Sequence, residues 1–417
     1  MNSISTHARE PIRVWVGALA FLLPFVSLVS KSGVSQVSFL FLISALILFK
    51  PSRDGLVRHW PEIRWVVLAF LLHFVYVLAC ALVRGASMSS VEKPARMFFA
   101  VSSMALVLAT GIPRRVLWWG VCAGALAGLP LVAWQRLVLH DPRPGGLINA
   151  ITFGDLALLL AFLALAAAID VHREARQGSP QLVLASVGAL AGLAASVLTG
   201  SRGGWVALLP VAVLLVLHLR ELDSRRVRGL LGATAALLAA SLFVPALGMQ
   251  QRFVQGVIDV RTFYEGGSVW TNVGTRLELW KGAAMLIAEH PLFGMDFAAC
   301  RARLAEYAQQ GSLDPMVLTL PHLHNDALQE LATGGVVGFA IWAGILVAPG
   351  LFFLRRLGAG MRSPQFAQAL AGALVVFSYA CFGLTEVIFW SVAGSLFYAL
   401  MVFLLMGFCL NAKVKIG

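Results

Sequence analysis

Apolar runs long enough to cross a bilayer recur along almost the whole chain, and this pattern limits the fold more than any single motif. Six lie near residues 14–30, 34–49, 65–83, 97–112, 116–138 and 150–170. Six more follow near 182–199, 205–219, 229–247, 335–354, 367–384 and 388–410. A helix rising about 1.5 Å per residue needs roughly 20 such residues to span about 30 Å of hydrocarbon. The expected fold class is therefore an all-α polytopic membrane protein of about 12 transmembrane helices. With 59% hydrophobic and 12% charged residues, the chain has more apolar surface than one soluble core could hide. In a soluble protein the net charge of +12 would suggest a nucleic-acid partner. Here the basic residues report topology instead, and the expected surroundings are membrane lipids, with no nucleic acid.

Placing the N-terminus in the cytoplasm puts 19 of the 32 Lys and Arg residues on the inner side, nearly all in short loops. The opposite orientation would place that excess outside, against the positive-inside rule. The same assignment makes residues 248–333 a long periplasmic segment, the place to expect any catalytic elements because every cytoplasmic connection is short. It lies between spans 1–9 (residues 1–247) and spans 10–12 (residues 334–417), in a bacterial inner membrane with both termini cytoplasmic. Residues 1–13 lack the short apolar core and small-residue cleavage site of a removable signal, so the first apolar run is expected to be retained. Of five cysteines, Cys80, Cys122, Cys381 and Cys409 fall in apolar stretches and Cys300 in a polar one, which predicts no disulfide and no cysteine metal site. In the long segment, Leu277, Trp280, Ala284 and Ile287 recur at helical spacing until Pro291 stops the run. A second helical pattern covers about Phe297 to Gln309.

Arginines on the outer side run against the orientation bias, and three of them have glycine close by: Arg143, Arg202 and Arg276. A guanidinium offers a planar fork of donors matched to phosphate oxygens, so several converging would make a diphosphate site. The alternative is that each snorkels to a phospholipid headgroup. A second constellation is Pro321-His322-Leu323-His324-Asn325-Asp326. Asn325 or Asp326 can start a helix and Pro321 bars one earlier, placing His324 at or just before a helix N-terminus. The positive end of the helix dipole and nearby arginines would keep that imidazole neutral, hence a usable general base. A histidine that merely caps or anchors the helix remains the plainer alternative. Two histidines two residues apart are a weak zinc pattern, and no Asp-x-Asp pair is present to hold Mg²⁺ or Mn²⁺. No metal and no cofactor are therefore expected. A transporter is disfavoured because the spans are almost free of charge, with Asp155 and Asp170 near the two ends of the sixth and His73 within the third.

These residues resemble the bacterial O-antigen ligases, a family grouped with O-antigen polymerases and protein oligosaccharyltransferases. The likeness rests on the twelve-span layout with one long periplasmic segment, on SRGGWVAL entering the eighth span, and on TRLELWKGA through HPLFGMDF. It rests most of all on a His-Asn pair followed by nine residues, Gly, two residues and Gly, which reads HNDALQELATGGVVG from His324 to Gly338. The resemblance implies that His324 is the catalytic base and that Arg202 and Arg276 bind the pyrophosphate of an undecaprenyl-diphosphate-linked O-antigen. It further implies transfer to lipid A-core by inverting, metal-independent chemistry. A looser likeness to the family's Arg-Gly-Asn element falls on Arg143, Gly145, Gly146 and Asn149. His322 lies outside the pattern. The short tail after the last span favours a lipid A-core ligase over longer protein-modifying relatives, while a polymerase of the same superfamily would share these motifs.

Overall fold

A computed structural model describes residues 6–174, 180–219, 249–360 and 362–414, with Gly229 and Gly232. Among these the chain is helical and contains no strand. The helices are α1 (Thr6–Val29), α2 (Gly33–Ile47), α3 (Phe49–Arg58), α4 (Trp60–Arg84), α5 (Ser89–Phe99), α6 (Val101–Thr110), α7 (Arg115–Leu137) and α8 (Ala150–Glu174). They continue as α9 (Pro180–Leu198), α10 (Leu208–Leu219), α11 (Met249–Tyr264), α12 (Gly274–Glu289), α13 (Phe297–Gln309), α14 (Asp326–Leu357), α15 (Phe366–Phe382) and α16 (Val392–Val414).

Seven of these helices are long and apolar enough to cross a membrane, or eight if α2 and α3, bent by 93°, form one broken span. The chain is thus a multi-pass membrane protein. Shorter apolar helices at Gly203–Leu215 and Phe366–Phe382 coincide with the expected eighth and eleventh runs. The expected ninth, 229–247, lies outside the described residues, as do Arg176, Arg220, Arg225, Arg226, Arg228 and Lys415 from the inner-side charge reading. The expected fourth run is divided at Ala100 into α5 and α6. There the Ser103 hydroxyl donates to the Ala100 carbonyl at 2.8 Å, the back-bonding that bends helices.

Two helices form the axis of the bundle. Residues 153–169 of α8 and 396–406 of α16 are buried on every side, so protein rather than lipid surrounds them. Helix α4 lies at the periphery, where Trp65, Leu72 and Val83 are exposed. Small residues set the closest crossings: a Cβ at Gly120 or Gly124 would come within 2.2 and 2.4 Å of the Phe21 and Pro24 carbonyl oxygens of α1.

The segment between α10 and α14 has a small core of its own, in which Leu279, Leu286, Leu304 and Val317 pack with Ala332 of α14. As the spacing predicts, α12 ends at Glu289 with His290 as its cap, and α13 covers Phe297–Gln309. Helix α14 begins at Asp326, earlier than the run at 335 predicts, because Asn325 caps it and Gly335 interrupts it at φ 62°, ψ −167°. The interruption admits another stretch of backbone: Val336 N donates to Pro291 O at 2.8 Å and Val337 N to Leu292 O at 3.1 Å. A Cβ at Gly335 would lie 2.3 Å from the Leu292 carbonyl carbon, so glycine alone fits. The carbonyls freed by the break find other donors. Met295 N takes Ala332 O, an Arg84 guanidinium nitrogen takes Thr333 O at 3.2 Å, and Tyr76 Oη takes Gly334 O at 2.8 Å. The HPLFGMDF and GGVVG runs are therefore two halves of one joint.

Candidate functional site

Helix α14 aims the histidine pair. Asn325, at φ −159°, accepts a hydrogen bond from Leu328 N at 3.0 Å and starts the helix, which leaves His324 immediately before the cap. His324 adopts φ 51°, a left-handed conformation that costs a non-glycine residue about 1–2 kcal/mol. Contacts on both sides hold it there. Upstream, the Arg301 guanidinium donates to the carbonyls of Val317, Leu318 and Leu320 and fixes the approach to Pro321. Downstream, Asn325 Nδ2 donates to Leu384 O at 3.1 Å and Asp326 N to Gly383 O at 2.8 Å.

Those last contacts bring in the turn after α15, and with it Glu386. One carboxylate oxygen lies 3.0 Å from His324 Nδ1 and the other 3.0 Å from His322 Nε2. All three side chains are largely shielded, at 8–16% exposure. An ionised carboxylate only accepts, so each facing ring nitrogen is the protonated one. In the neutral ring that assignment leaves His324 Nε2 as the lone-pair acceptor, whereas His322 Nδ1 faces the backbone N–H of His324 at 3.4 Å. Burial pushes the His322 pKa down to about 4, against the pull of Glu386, so His322 is neutral near pH 7. Burial alone would raise the Glu386 pKa, but the hydrogen bond from His324, the attraction of either imidazole once protonated and the Val387 N–H outweigh it. The carboxyl stays below its ordinary value and remains ionised.

The arginines approach from other elements. Arg202 sits in the turn between α9 and the short 3₁₀ helix Gly203–Ala207. A Cβ at Gly203 would fall 2.3 Å from Thr385 Oγ1, and one at Gly204 2.1 Å from Asp155 Oδ1, so the turn packs between α8 and the residue preceding Glu386. Arg276 lies in the first turn of α12. Burial lowers its pKa, Glu386 opposes that shift and Arg143 adds to it, which sets Arg276 within electrostatic reach of both. Arg143 itself is exposed, its backbone N–H held by Asp141 at 2.8 Å. Arg202, Arg276, Arg143 and His324 thus gather around the Glu386 turn at one end of the bundle.

Two participants were not assigned from sequence. Glu386 belongs to no motif read from the sequence, although an isolated acid within Gly383-Leu384-Thr385-Glu386-Val387-Ile388 is itself a signal. His322 carried no role, and here it occupies the second carboxylate oxygen. Ligand atoms of His322, His324 and Glu386 lie within 4.8 Å of one another, a spacing that could also hold a metal ion. The nearby cations Arg276 and Arg143 work against a dication, and they favour a donor set used for hydrogen bonding.

A multi-pass helical bundle with an imidazole–carboxylate cluster and guanidinium groups at one end defines a membrane protein whose chemistry is concentrated at a single face. Residues 187–343, from within α9 through Arg202, Arg276 and His324 into α14, match the family model described as O-antigen ligase. Over this stretch the chain is similar to the O-antigen ligase family. It is also 22% identical over 343 residues to an uncharacterized protein of Haemophilus influenzae, covering 82% of this chain and 85% of that one. Arg143 and Glu386 fall outside the matched domain.

Proposed function

We propose that this protein is an O-antigen ligase that moves a glycan from undecaprenyl diphosphate to a sugar hydroxyl of lipid A-core at the periplasmic face of the inner membrane, both termini being cytoplasmic. The observation that carries the reading is the contact of His324 Nδ1 with Glu386, which turns Nε2 outward as a base. The acceptor oxygen bonds to the anomeric carbon as the bond from that carbon to the diphosphate oxygen breaks. The hydroxyl proton passes to His324 Nε2, and the electron pair leaves with the diphosphate. Arg202 and Arg276, with Arg143 beside them, neutralise the charge that develops there, so the residues present account for the step without a metal. Attack opposite the leaving group inverts the anomeric configuration. Glu386 touches neither reactant and acts as a positioning residue that fixes the tautomer of His324.

The test is incubation of the purified protein with a lipid-diphosphate-linked glycan, with and without lipid A-core. Appearance of glycan on the core is the expected result. Elongation of the donor glycan without core would reassign the protein as a polymerase of the same superfamily, and an unconsumed donor would overturn the transfer reading.

A further inference from the structure

Beside the Glu386 turn lies a cavity of about 530 Å³ that the catalytic reading does not use. Val387, Phe389 and Trp390, which directly follow Glu386, form one wall. Trp390 is 40% exposed, its ring centroid 4.9 Å from that of Phe297 and 5.7 Å from that of His322. Lys93 steadies this wall by donating to Trp390 O at 3.0 Å with its ammonium 5.6 Å from the ring centre. The end toward the loop after α4 is polar, with Ser87, Ser90 and Asp296, and the deeper end, further along α4 and α14, carries the apolar Val77 and Ile345 beside His73 and Trp342. Along α4 the lining runs from Arg84 to His73, which at 1.5 Å per residue is about 16 Å, roughly half the hydrocarbon thickness. Two buried polar atoms on lining residues, His73 Nδ1 and Trp342 Nε1, have no hydrogen-bond partner.

We propose that this cavity seats the acceptor glycolipid, its saccharide against the Trp390–Phe297 wall and its hydrocarbon in the apolar end. The inference rests on the transfer reading above. An aromatic face suits the C–H face of a pyranose, while Glu330, Asp296 and the serines offer partners for hydroxyls. The lining suits a diphosphate poorly. Among the described residues, none of Arg143, Arg202 and Arg276 lines the cavity, and the guanidinium of Arg84 donates to Phe293 O, Gly294 O and Thr333 O. Displacement also requires the attacking oxygen to arrive from the side away from the leaving diphosphate. The cavity reaches the histidine pair through Trp390, 5.7 Å from His322 between ring centroids, while its lining includes none of those arginines, which is compatible with that requirement.

Cys80 lines the cavity and is a free, half-buried thiol, which gives a readout independent of turnover. The full-length protein in nanodiscs is treated with a membrane-permeant maleimide, with Cys381, also half-buried, as internal reference. A core-saccharide glycolipid is expected to slow Cys80 labelling by about tenfold, the effect of a site about 90% occupied. Polyprenyl diphosphate glycan and plain phosphatidylethanolamine are expected to leave it unchanged. Protection by the donor alone would make the cavity the seat of the polyprenyl tail. Protection by phospholipid as strong as by glycolipid, or by nothing, would also overturn the proposal. In kinetics, Glu330→Gln and Val77→Trp are expected to raise the acceptor KM about tenfold with the donor KM unchanged. A rise in donor KM instead, or no change in either variant, counts against it. A wild-type protein that consumes no donor while Cys80 is still protected would defeat the transfer reading and leave the binding assignment standing.

Discussion

Carboxylate sites at opposite ends of the bundle differ in their partners. At the end away from the histidines, acids pair with arginines. Asp170 takes two hydrogen bonds from Arg114, at 2.7 and 3.1 Å, and one from Trp118, while Glu62 meets Arg356 at 2.6 Å. At the other end Glu386 has Arg276 within electrostatic reach, yet both its oxygens go to imidazoles. A carboxylate matched to a guanidinium that cannot lose its proton fixes structure. One matched to histidine sets where a proton sits. The first end holds helices together, and the second holds a base in one tautomer.

Substitution at the second end should break this contrast most severely. His324→Ala is expected to cost about 10²-fold to 10⁴-fold in transfer, the range of a general base, with a normal elution profile on size exclusion. Glu386→Gln is expected to cost up to about 10⁴-fold, because the amide can present N–H to Nδ1 and lock the wrong tautomer. The double variant should be little worse than either single one, since both remove the same function. Additive losses in that cycle would mean that Glu386 acts independently of His324.

At the first end the expected damage is to stability and not to chemistry. Asp170→Asn leaves Arg114 partly buried without its countercharge, which typically destabilises by about 3–5 kcal/mol. Thermal unfolding should report this, while the surviving folded fraction retains its KM for both substrates. A large change in KM with an unaltered melting temperature would erase the distinction between the ends.

How far sequence reaches follows the same division. Local signals were legible. Periodicity closed by Pro291 gave α12, and the Pro321 and Asn325 signals put His324 immediately before α14. Such features depend on neighbours a few residues away. The Glu386 contacts join residues about 60 positions apart, on either side of α14 and α15, and no spacing rule reaches across two helices. The break at Gly335 was hidden because its cause, the backbone of 291–293, belongs to another segment. Ala100 was missed because hydropathy runs unbroken through it while a serine back-bond divides the helix.

The arginine role gives a smaller and sharper effect. Arg276→Lys keeps the charge near Glu386 and Arg143 but removes the fork, so donor turnover should fall by about tenfold to a hundredfold as a charge-assisted hydrogen bond to the diphosphate is lost. Acceptor KM should hold. An unchanged rate would reduce Arg276 to a point charge or a headgroup contact.

The least effect is expected from pH. His322 has a folded pKa of about 4 against 6.5 for an ordinary histidine. Between those values the unfolded chain binds a proton that the folded chain refuses, so stability rises with pH across about 4 to 6.5. The slope from this one group is at most about 1.4 kcal/mol per pH unit. Glu386 acts in the same direction, since its folded pKa is depressed and its contribution is lost as pH falls below the ordinary carboxylate value. His322→Gln can still donate to Glu386 but takes up no proton, so its melting temperature should fall less than wild type between pH 6.5 and 5. An identical slope in the two proteins would mean that His322 is hydrated and already free to protonate when folded, and that Glu386 orients His324 alone.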